Sequence, residues 1–364
     1  MGEGSEAMAK ILVAMSGGVD SSVAAKLLCD AGNECIGCTM KLYSNEDAGL
    51  SRSHTCCSLD DVEDARGVAR ALNMPYYVFN FSDDFREKVI GKFIDCYSRG
   101  VTPNPCIDCN RYMKFDKLFE RARLMGCDFV ATGHYARIDR DENGRFRLKK
   151  ALDPAKDQSY VLYSMTQEQL ACTLFPLGGM SKPEARALAE AGGFRNADKP
   201  DSQDICFVPD GDYAAAIERL TGKKAEPGDY VDAQGRVIGR HAGIIRYTIG
   251  QHRNLGLSLP ERRFVCRIHP QDNTVVLGTE RELFSRTARA EEFHWISGEA
   301  PQKPFRCKAK LRYRQPEQWT TATPEENGRV TLLFDEPQRA VTPGQAAVLY
   351  DGEVVLGGGV LCGV

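Results

Sequence analysis

Ile11-Leu12-Val13-Ala14-Met15-Ser16-Gly17-Gly18-Val19-Asp20-Ser21-Ser22 decides how this chain folds. The apolar run 11–15 reads as a buried parallel strand. After Asp20, Val23, Ala24, Leu27, Leu28 and Ala31 share one helical face before Gly32 ends it. The turn between strand and helix therefore opens a helix. Paired glycines let the backbone approach a ligand closely, and free amides at a helix start favour an anion, so phosphate is the natural guest. The turn lacks the lysine of a G-x-x-x-x-G-K-[ST] loop and the spacing of a dinucleotide G-x-G-x-x-G turn. It carries the hydroxyls of Ser16, Ser21 and Ser22 and the carboxylate of Asp20 instead. A glycine-rich turn in an ordinary α/β domain is the plain alternative, but strand, turn and helix all agree with the phosphate reading.

The pattern Ser-Gly-Gly-Val-Asp-Ser resembles the ATP pyrophosphatase (PP-loop) enzymes, which split ATP between the α- and β-phosphates to adenylate a carbonyl oxygen. The resemblance implies ATP contacts from Ala14, Met15, Ser16, Gly17, Gly18, Val19, Asp20 and Ser21, with Asp20 among the catalytic groups and Mg²⁺ accompanying the nucleotide.

Further along, residues 34–40 read as a second strand and 58–73 as a second helix. A Ser58/Asp61 capping pair opens that helix, and Val62, Ala65, Val68, Ala69 and Leu72 form its buried stripe. Residues 76–80 read as a third strand, 83–97 as a helix carrying Phe85, Val89, Phe93 and Tyr97, 114–125 as another helix, and 129–132 as a fourth strand. This alternation implies a mainly parallel sheet with helices on both faces, and ligands beyond the carboxyl ends of its strands. That edge gathers the first turn, Met40, residues 100–110 and Thr132-Gly133-His134-Tyr135. Gly133 would allow close approach to a nucleotide. Met40 would pack on adenine or, judged by itself, in the core.

At 364 residues the chain exceeds one typical domain, so two or three compact units are expected. A formal charge of −3 argues against a globally basic nucleic-acid binder while leaving room for a local basic face. No apolar run approaches the ~20 residues that cross a bilayer, and residues 1–10 lack the apolar core of a signal peptide. A cytoplasmic protein without membrane association is expected. Fourteen cysteines in such a chain point to core residues, reactive thiols or metal ligands in preference to a disulfide framework. Cys29, Cys35, Cys38, Cys96, Cys127 and Cys172 lie in apolar patterns as small core residues.

Thr102-Pro103-Asn104-Pro105-Cys106-Ile107-Asp108-Cys109-Asn110 is the second informative stretch. Its prolines fix the backbone before a helix entered at about Asn110, and a thiol near a helix start is favoured as thiolate, which makes Cys109 a candidate nucleophile. Half of a zinc site, a redox dithiol and chance in a cysteine-rich chain are rival readings of the same C-x-x-C. Cys56-Cys57 would supply further ligands for zinc or an iron-sulfur cluster, although neighbouring cysteines seldom both reach one ion. Lys199-Pro200-Asp201-Ser202-Gln203-Asp204-Ile205-Cys206-Phe207 sets a single thiol in a polar, proline-containing loop, with a buried and inert Cys206 as the alternative.

Together these motifs, with Ala131-Thr132-Gly133-His134-Tyr135 and Lys156-Asp157-Gln158-Ser159-Tyr160, occur in the order seen in the bacterial tRNA-specific 2-thiouridylases, which the chain resembles over nearly its whole length. That resemblance implies ATP-dependent replacement of the C2 oxygen of the wobble uridine by sulfur, with release of AMP and pyrophosphate. It assigns Cys109 as nucleophile and Cys206 as carrier of a persulfide, charged by a cysteine desulfurase or a sulfur-relay protein, with a Cys109–Cys206 disulfide on one of two routes. Asn104, Pro105 and Cys106 match positions that meet the target base. His134, Lys156, Asp157, Gln158, Arg312, Tyr313 and Gln345 match tRNA contacts, and Met40 and Gly133 complete the ATP site. Many relatives have aspartate where this chain has Cys106. The departure puts an acid/base role there in doubt and raises the prospect of a metal cluster among Cys106, Cys109 and Cys206. Rival readings are a PP-loop synthetase acting on a small molecule, and an iron-sulfur or zinc RNA-binding protein without turnover.

The resemblance and the turn pattern divide the chain at the same places: a catalytic domain over residues 8–208, a small β-rich connector over 209–278 and a β-barrel over 279–364. Beyond Pro209 short strands with turns at Gly228-Asp229, Gly235-Arg236 and Gly239-Arg240 replace helices. In the connector, Arg246-Tyr247-Thr248-Ile249-Gly250-Gln251-His252-Arg253 suits a nucleic-acid backbone or a solvated turn. In Phe305-Arg306-Cys307-Lys308-Ala309-Lys310-Leu311-Arg312-Tyr313-Arg314 the cations hold every even position. A single strand there would show one packed face and a row of five cations over roughly 25 to 30 Å. RNA phosphate fits such a row, and a salt-bridged, solvated face is the alternative.

Overall fold

β1 (Lys10–Ala14) lies at the centre of a parallel sheet because Ile11, Leu12 and Val13 are buried on both of its faces. Its neighbours are β2 (Glu34–Lys41) and β4 (Phe129–Thr132), with β3 (Tyr76–Asn80) beyond β2 and β7 (Thr173–Leu174) beyond β4, all parallel. β3 is an edge strand and alternates half-buried with exposed residues. The order of connection reverses at β1 and β4, and a crevice at such a reversal is where open α/β sheets bind ligands. The chain has the α/β sheet expected for a PP-loop domain, followed by a small β-rich region and a closed barrel. The computed structural model describes residues 8–44, 59–200, 205–259 and 261–363. Contacts divide it into two units, Met1–Lys88, Cys106–Pro209 and Glu353–Val355 in one, Val89–Pro105, Asp210–Gly352 and Leu356–Val364 in the other.

In the first unit, α1 (Val19–Asp30) buries Val23 and Ala24 and ends before Gly32, whose φ of +82° a side chain would resist. The helix Leu59–Ala71 buries Ala65, Val68 and Ala69 as its periodicity requires. The Ser58 half of the expected capping pair lies outside the described residues. The helix expected at 83–97 runs through Ser82–Phe85, Arg86–Gly91 and Lys92–Ser98, with its middle wound as a π-helix.

A larger correction concerns the next helix, expected at 114–125. It begins at Pro105, with turns Pro105–Asp108, a π-wound Cys109–Lys117 and Leu118–Leu124. Proline suits a first helical position because its missing amide has no partner there anyway. A hairpin of β5 (Ala136–Arg140) and β6 (Phe146–Lys150), turning at Gly144 with φ +80°, was not anticipated, nor was β7.

The second unit contains a helix, Tyr213–Thr221, in a region where helices were expected largely to give way to strands. The Asp212 carboxylate caps it by accepting from the Ala215 amide at 2.9 Å, and Gly222 stops it at φ +67°. A four-stranded sheet follows, from β8 (Gly228–Val231), β9 (Val237–His241), β10 (Phe264–His269) and β11 (Thr274–Gly278), in the order β10-β11-β8-β9. Tyr230, Tyr247, Leu255, Val265, Val275 and Leu277 form its core.

The barrel consists of β12 (Phe284–Trp295), β13 (Phe305–Lys310), β14 (Gln318–Pro324), β15 (Val330–Arg339), β16 (Ala346–Asp351) and β17 (Val354–Gly363). Its order is β12-β15-β14-β13-β16-β17, and pairing of β12 with β17 closes it. Closure removes the free edges that a sheet otherwise exposes. β13 stops at Lys310, so the expected row of five cations on one strand is a row of three, Arg306, Lys308 and Lys310, with Arg312 and Arg314 in the turn beyond. Among the described residues no helix is long and apolar enough to cross a membrane.

Candidate nucleotide and thiol site

The turn after β1 is shaped by Gly17. Its φ is +75°, and a β-carbon there would stand 2.4 Å from the Asp61 carbonyl oxygen. Within the turn the Ser16 amide donates to Ser21 Oγ at 3.1 Å, and Ser21 and Ser22 both donate to the Gly18 carbonyl at 3.0 Å. Ser16 is exposed and Gly18 half-buried, whereas Met15, Gly17 and Val19 are buried behind them. Met15 is fixed by its amide to Cys38 O at 2.7 Å and by its carbonyl, which accepts from Thr39 Oγ1 at 2.6 Å. A β-carbon on Gly133 would lie 2.7 Å from the Ser21 amide nitrogen, so the turn after β4 lies flat against the first turn of α1. Met40 is half-buried at the end of β2, consistent with either packing expected for it.

Two lysines that sequence reasoning missed reach this turn. Lys182 Nζ donates to Asp20 Oδ1 at 2.7 Å, and Tyr135 OH donates to the same oxygen at 2.9 Å. Lys182 begins the helix Lys182–Ala191, whose start is fixed by a Ser181/Glu184 capping box. Lys199 Nζ donates to Asp61 at 2.6 Å, to Asp64 at 2.7 Å and to the Gly17 carbonyl at 3.4 Å. Burial opposes its charge, but the two carboxylates more than offset that and hold its pKa above the ordinary lysine value. Asn196 Nδ2 donates to the same Gly17 carbonyl and to Ser22 Oγ, each at 2.9 Å. The phosphate turn is thus gripped from behind by the stretch that leads towards Cys206.

Of the expected RNA-contact residues of this unit, His134 is buried and Lys156, Asp157 and Gln158 are half-buried. His134 is 7% exposed, its Nδ1 2.7 Å from Thr132 Oγ1 and its Nε2 3.4 Å from Lys114 Nζ, with Phe115 and Phe175 around the ring. Burial, and then the Lys114 charge, depress its pKa well below the usual histidine value, so the ring is neutral. Gln158 accepts from the Tyr135 amide at 2.9 Å and so braces the tyrosine that holds Asp20. Asp157 accepts from the Ala151 and Ser159 amides and from Ser159 Oγ. Lys156 is half-buried beside them.

The thiols are placed as follows. Cys206 is half-buried; its carbonyl accepts from Tyr43 OH at 2.8 Å, and Phe207 meets Phe85 edge-on at 5.8 Å. Tyr43 follows β2 directly, so Cys206 is tied to the carboxyl end of that strand. Cys109 is half-buried on a helix tied through Lys114 to His134, just after β4. β2 and β4 flank β1, so both thiol-bearing segments attach to neighbours of the strand that carries the phosphate turn. Because the helix begins at Pro105, Cys109 sits in its second turn, and the argument from a helix start loses its geometry. Cys106 is exposed.

The expected Cys109–Cys206 disulfide is not found among the described residues. Among the described residues no three His, Cys, Asp or Glu side chains are placed to hold a metal ion, so Cys106, Cys109 and Cys206 do not form a cluster site. Cys56 and Cys57 lie outside the described residues. Of the small core cysteines, Cys35, Cys38 and Cys96 are buried, and Cys29, Cys127 and Cys172 are half-buried.

In the second unit, Asn104 is half-buried and Pro105 buried at the end of a braced segment. The Thr102 amide donates to the Pro343 carbonyl at 3.0 Å, and Gln345 Nε2 donates to the carbonyls of Thr102 at 2.9 Å and Pro103 at 3.4 Å. Arg312 Nη2 is turned onto Thr342 Oγ1 at 2.6 Å, the Ala340 carbonyl at 2.9 Å and the Ile249 carbonyl at 3.4 Å, while Tyr313 is exposed. In the connector stretch Tyr247 is a core residue and Arg246 pairs with Glu218 at 2.7 Å.

Residues 9–210 match the model described as the tRNA methyl transferase HUP domain, 216–279 the tRNA methyl transferase PRC-barrel domain, and 285–361 the aminomethyltransferase beta-barrel domain. A tRNA-specific 2-thiouridylase MnmA of Acetivibrio thermocellus is 49% identical over 354 residues, covering 97% of this chain and 99% of that protein. The chain belongs to the tRNA-specific 2-thiouridylase family. Family members from Clostridioides difficile, at 47% identity over 97% of this chain and 98% of that protein, and from Symbiobacterium thermophilum, at 48% over 99% and 94%, are similar to it throughout.

Proposed function

We propose that this chain is a tRNA-uridine 2-sulfurtransferase: it adenylates the C2 oxygen of the wobble uridine of tRNA at the expense of ATP and replaces that oxygen with sulfur from a persulfide on Cys206. The observation that carries the reading is the attachment of both thiol-bearing segments to strands flanking the phosphate turn. The uridine C2 carbonyl is a poor electrophile and its oxygen a poor leaving group. Transfer of AMP to that oxygen, with loss of pyrophosphate, makes departure easy.

Ser16, Gly17, Gly18, Val19, Asp20 and Ser21 would receive the phosphates, with Ala14, Met15, Met40 and Gly133 lining the rest of the nucleotide site. Mg²⁺ would enter with ATP as part of the substrate, near Asp20, whose Oδ1 is already engaged by Lys182 and Tyr135. The outer sulfur of the persulfide then bonds to C2 as the C2–O bond breaks and AMP leaves with the oxygen. Attack of the Cys109 thiolate on Cys206 Sγ breaks the S–S bond and leaves a Cys109–Cys206 disulfide. If Cys109 attacks first, the same exchange releases sulfide, which adds to C2 instead. A cysteine desulfurase or sulfur-relay protein recharges Cys206 once the disulfide is reduced.

Asn104, Pro105 and Cys106 are proposed to meet the target base, and Lys156 and Tyr313 to touch tRNA directly. His134, Asp157, Gln158, Arg312 and Gln345 would serve the same contacts by holding the backbone around them. In the test, Cys206→Ser retains tRNA-dependent release of pyrophosphate but forms no 2-thiouridine, read by mass spectrometry of tRNA nucleosides. Normal thiolation by that variant with a persulfide donor would overturn the assignment.

A further inference from the structure

The outer face of the barrel carries a group of side chains that its packing does not require. β13, β14 and β15 turn Cys307, Ala309, Thr320, Ala322, Leu332 and Phe334 inward, all buried. On the opposite face the register sets Lys308 across from Trp319, Arg306 across from Thr321, and Leu333 on the other side of Thr321. Trp319 is 51% exposed and Leu333 55%. The Trp319 ring has Lys308 Nζ 5.2 Å and Arg306 Cζ 5.5 Å from its centroid. Strand alternation places Arg306, Lys308 and Lys310 about 6.6 Å apart along one line, comparable with the phosphate repeat of an extended RNA strand.

The charges that lie over the ring are those of Arg306 and Lys308. Asp335 accepts two hydrogen bonds from Arg306, at 2.8 and 2.6 Å, and lies in the field of the exposed Arg286. Among the described residues neither Lys308 nor Lys310 has a carboxylate partner; their ammonium groups lie over Trp319 and Tyr350. An open indole face with cations at its edge recognises an unpaired base through stacking and the neighbouring phosphates through charge. An acidic protein surface would use the lysines but would leave the indole face without a matching planar partner.

We propose that Trp319, with Arg306, Lys308 and Leu333, is a stacking platform for an unpaired base of the RNA substrate. This rests on the tRNA reading above and adds a contact site to it. The chain has two tryptophans, so Trp295→Phe leaves Trp319 as the sole indole emitter. Titrating this full-length variant with tRNA should quench its emission saturably, and Trp319→Ala should weaken tRNA binding in a filter assay by about 5- to 100-fold. Should Trp295→Phe fail to fold, wild type against Trp319→Phe gives the same reading as a difference in quench.

Undiminished tRNA binding with no change in Trp319 emission, or normal affinity of Trp319→Ala, overturns the platform and leaves the tRNA reading intact. Absence of any tRNA binding by the wild type overturns both. A quench by polyglutamate equal to that by tRNA would reassign the face to an acidic protein partner.

Discussion

Replacing Lys182 by methionine keeps the length and apolar stem of the side chain and removes only the ammonium that meets Asp20 at 2.7 Å. The lysine side chain is 9% exposed and that of Asp20 31%. Removing one member of a fully buried ion pair costs about 3–5 kcal/mol, because the remaining charge is left without compensation. Asp20 keeps the Tyr135 hydroxyl and some access to water, so the expected loss for Lys182→Met is about 1–3 kcal/mol. Asp20→Asn removes the carboxylate charge that faces the more deeply buried ammonium and should cost a similar amount. The double variant removes both charges, and its loss should fall short of the sum of the single losses by about 1–2 kcal/mol. Urea unfolding of the four proteins measures this coupling directly. Tyr135 and Lys182 aim Asp20 at the phosphate turn, so ATP–pyrophosphate exchange should fall in both single variants. Single losses that add to within about 0.3 kcal/mol would refute the claim that Lys182 and Asp20 act as a pair.

Gly17→Ala forces a side chain into positive φ and against the Asp61 carbonyl; about 1–3 kcal/mol of stability and most adenylation activity should be lost, and a stable, active variant would show the turn to be looser than described. His134 is buried with a depressed pKa, so as pH falls below about 6.5 the unfolded chain takes up a proton that the folded chain does not. Stability should then decline by up to about 1.4 kcal/mol per pH step until the folded-state pKa is reached. His241, also depressed by burial, adds a decline of the same sign. The slope that disappears in His134→Gln isolates the first group, and an unchanged slope in urea melts at pH 5 to 7 would contradict its burial. Gln345→Leu leaves the Thr102 carbonyl without its donor, which should cost about 1–2 kcal/mol and lower the thiolation rate; a thermal midpoint equal to that of the wild type would remove the brace from the account.

Where aliphatic runs are bounded by turn residues, the chain is legible from its sequence. β3 and β4 fall at the expected residues, β2 extends one further and β1 is displaced by one towards the amino end, because each carries a local period and a stop. The helix start at Pro105 was misplaced because prolines in series look like loop, although one of them fits a first helical turn. The β5–β6 hairpin carries an Asn143-Gly144 turn signal that was overlooked between charged strands. β7 spans two residues, too few to show a period. The alternation of cations continued past Lys310, but alternation reports a face only while the ladder of hydrogen bonds continues, and Arg312 folds back onto carbonyls instead. At the site, the turn and both thiols were visible locally. Lys182, Asn196 and Lys199 reach that turn from 162, 179 and 182 residues away, a distance over which no local pattern points to a partner. The capping box at Ser181 announced the helix but not the destination of its first side chain.

Asn196 and Lys199 are moored to one oxygen, that of Gly17. In the proposed reaction, a tilt of the turn as diphosphate departs would pull on both of these side chains together.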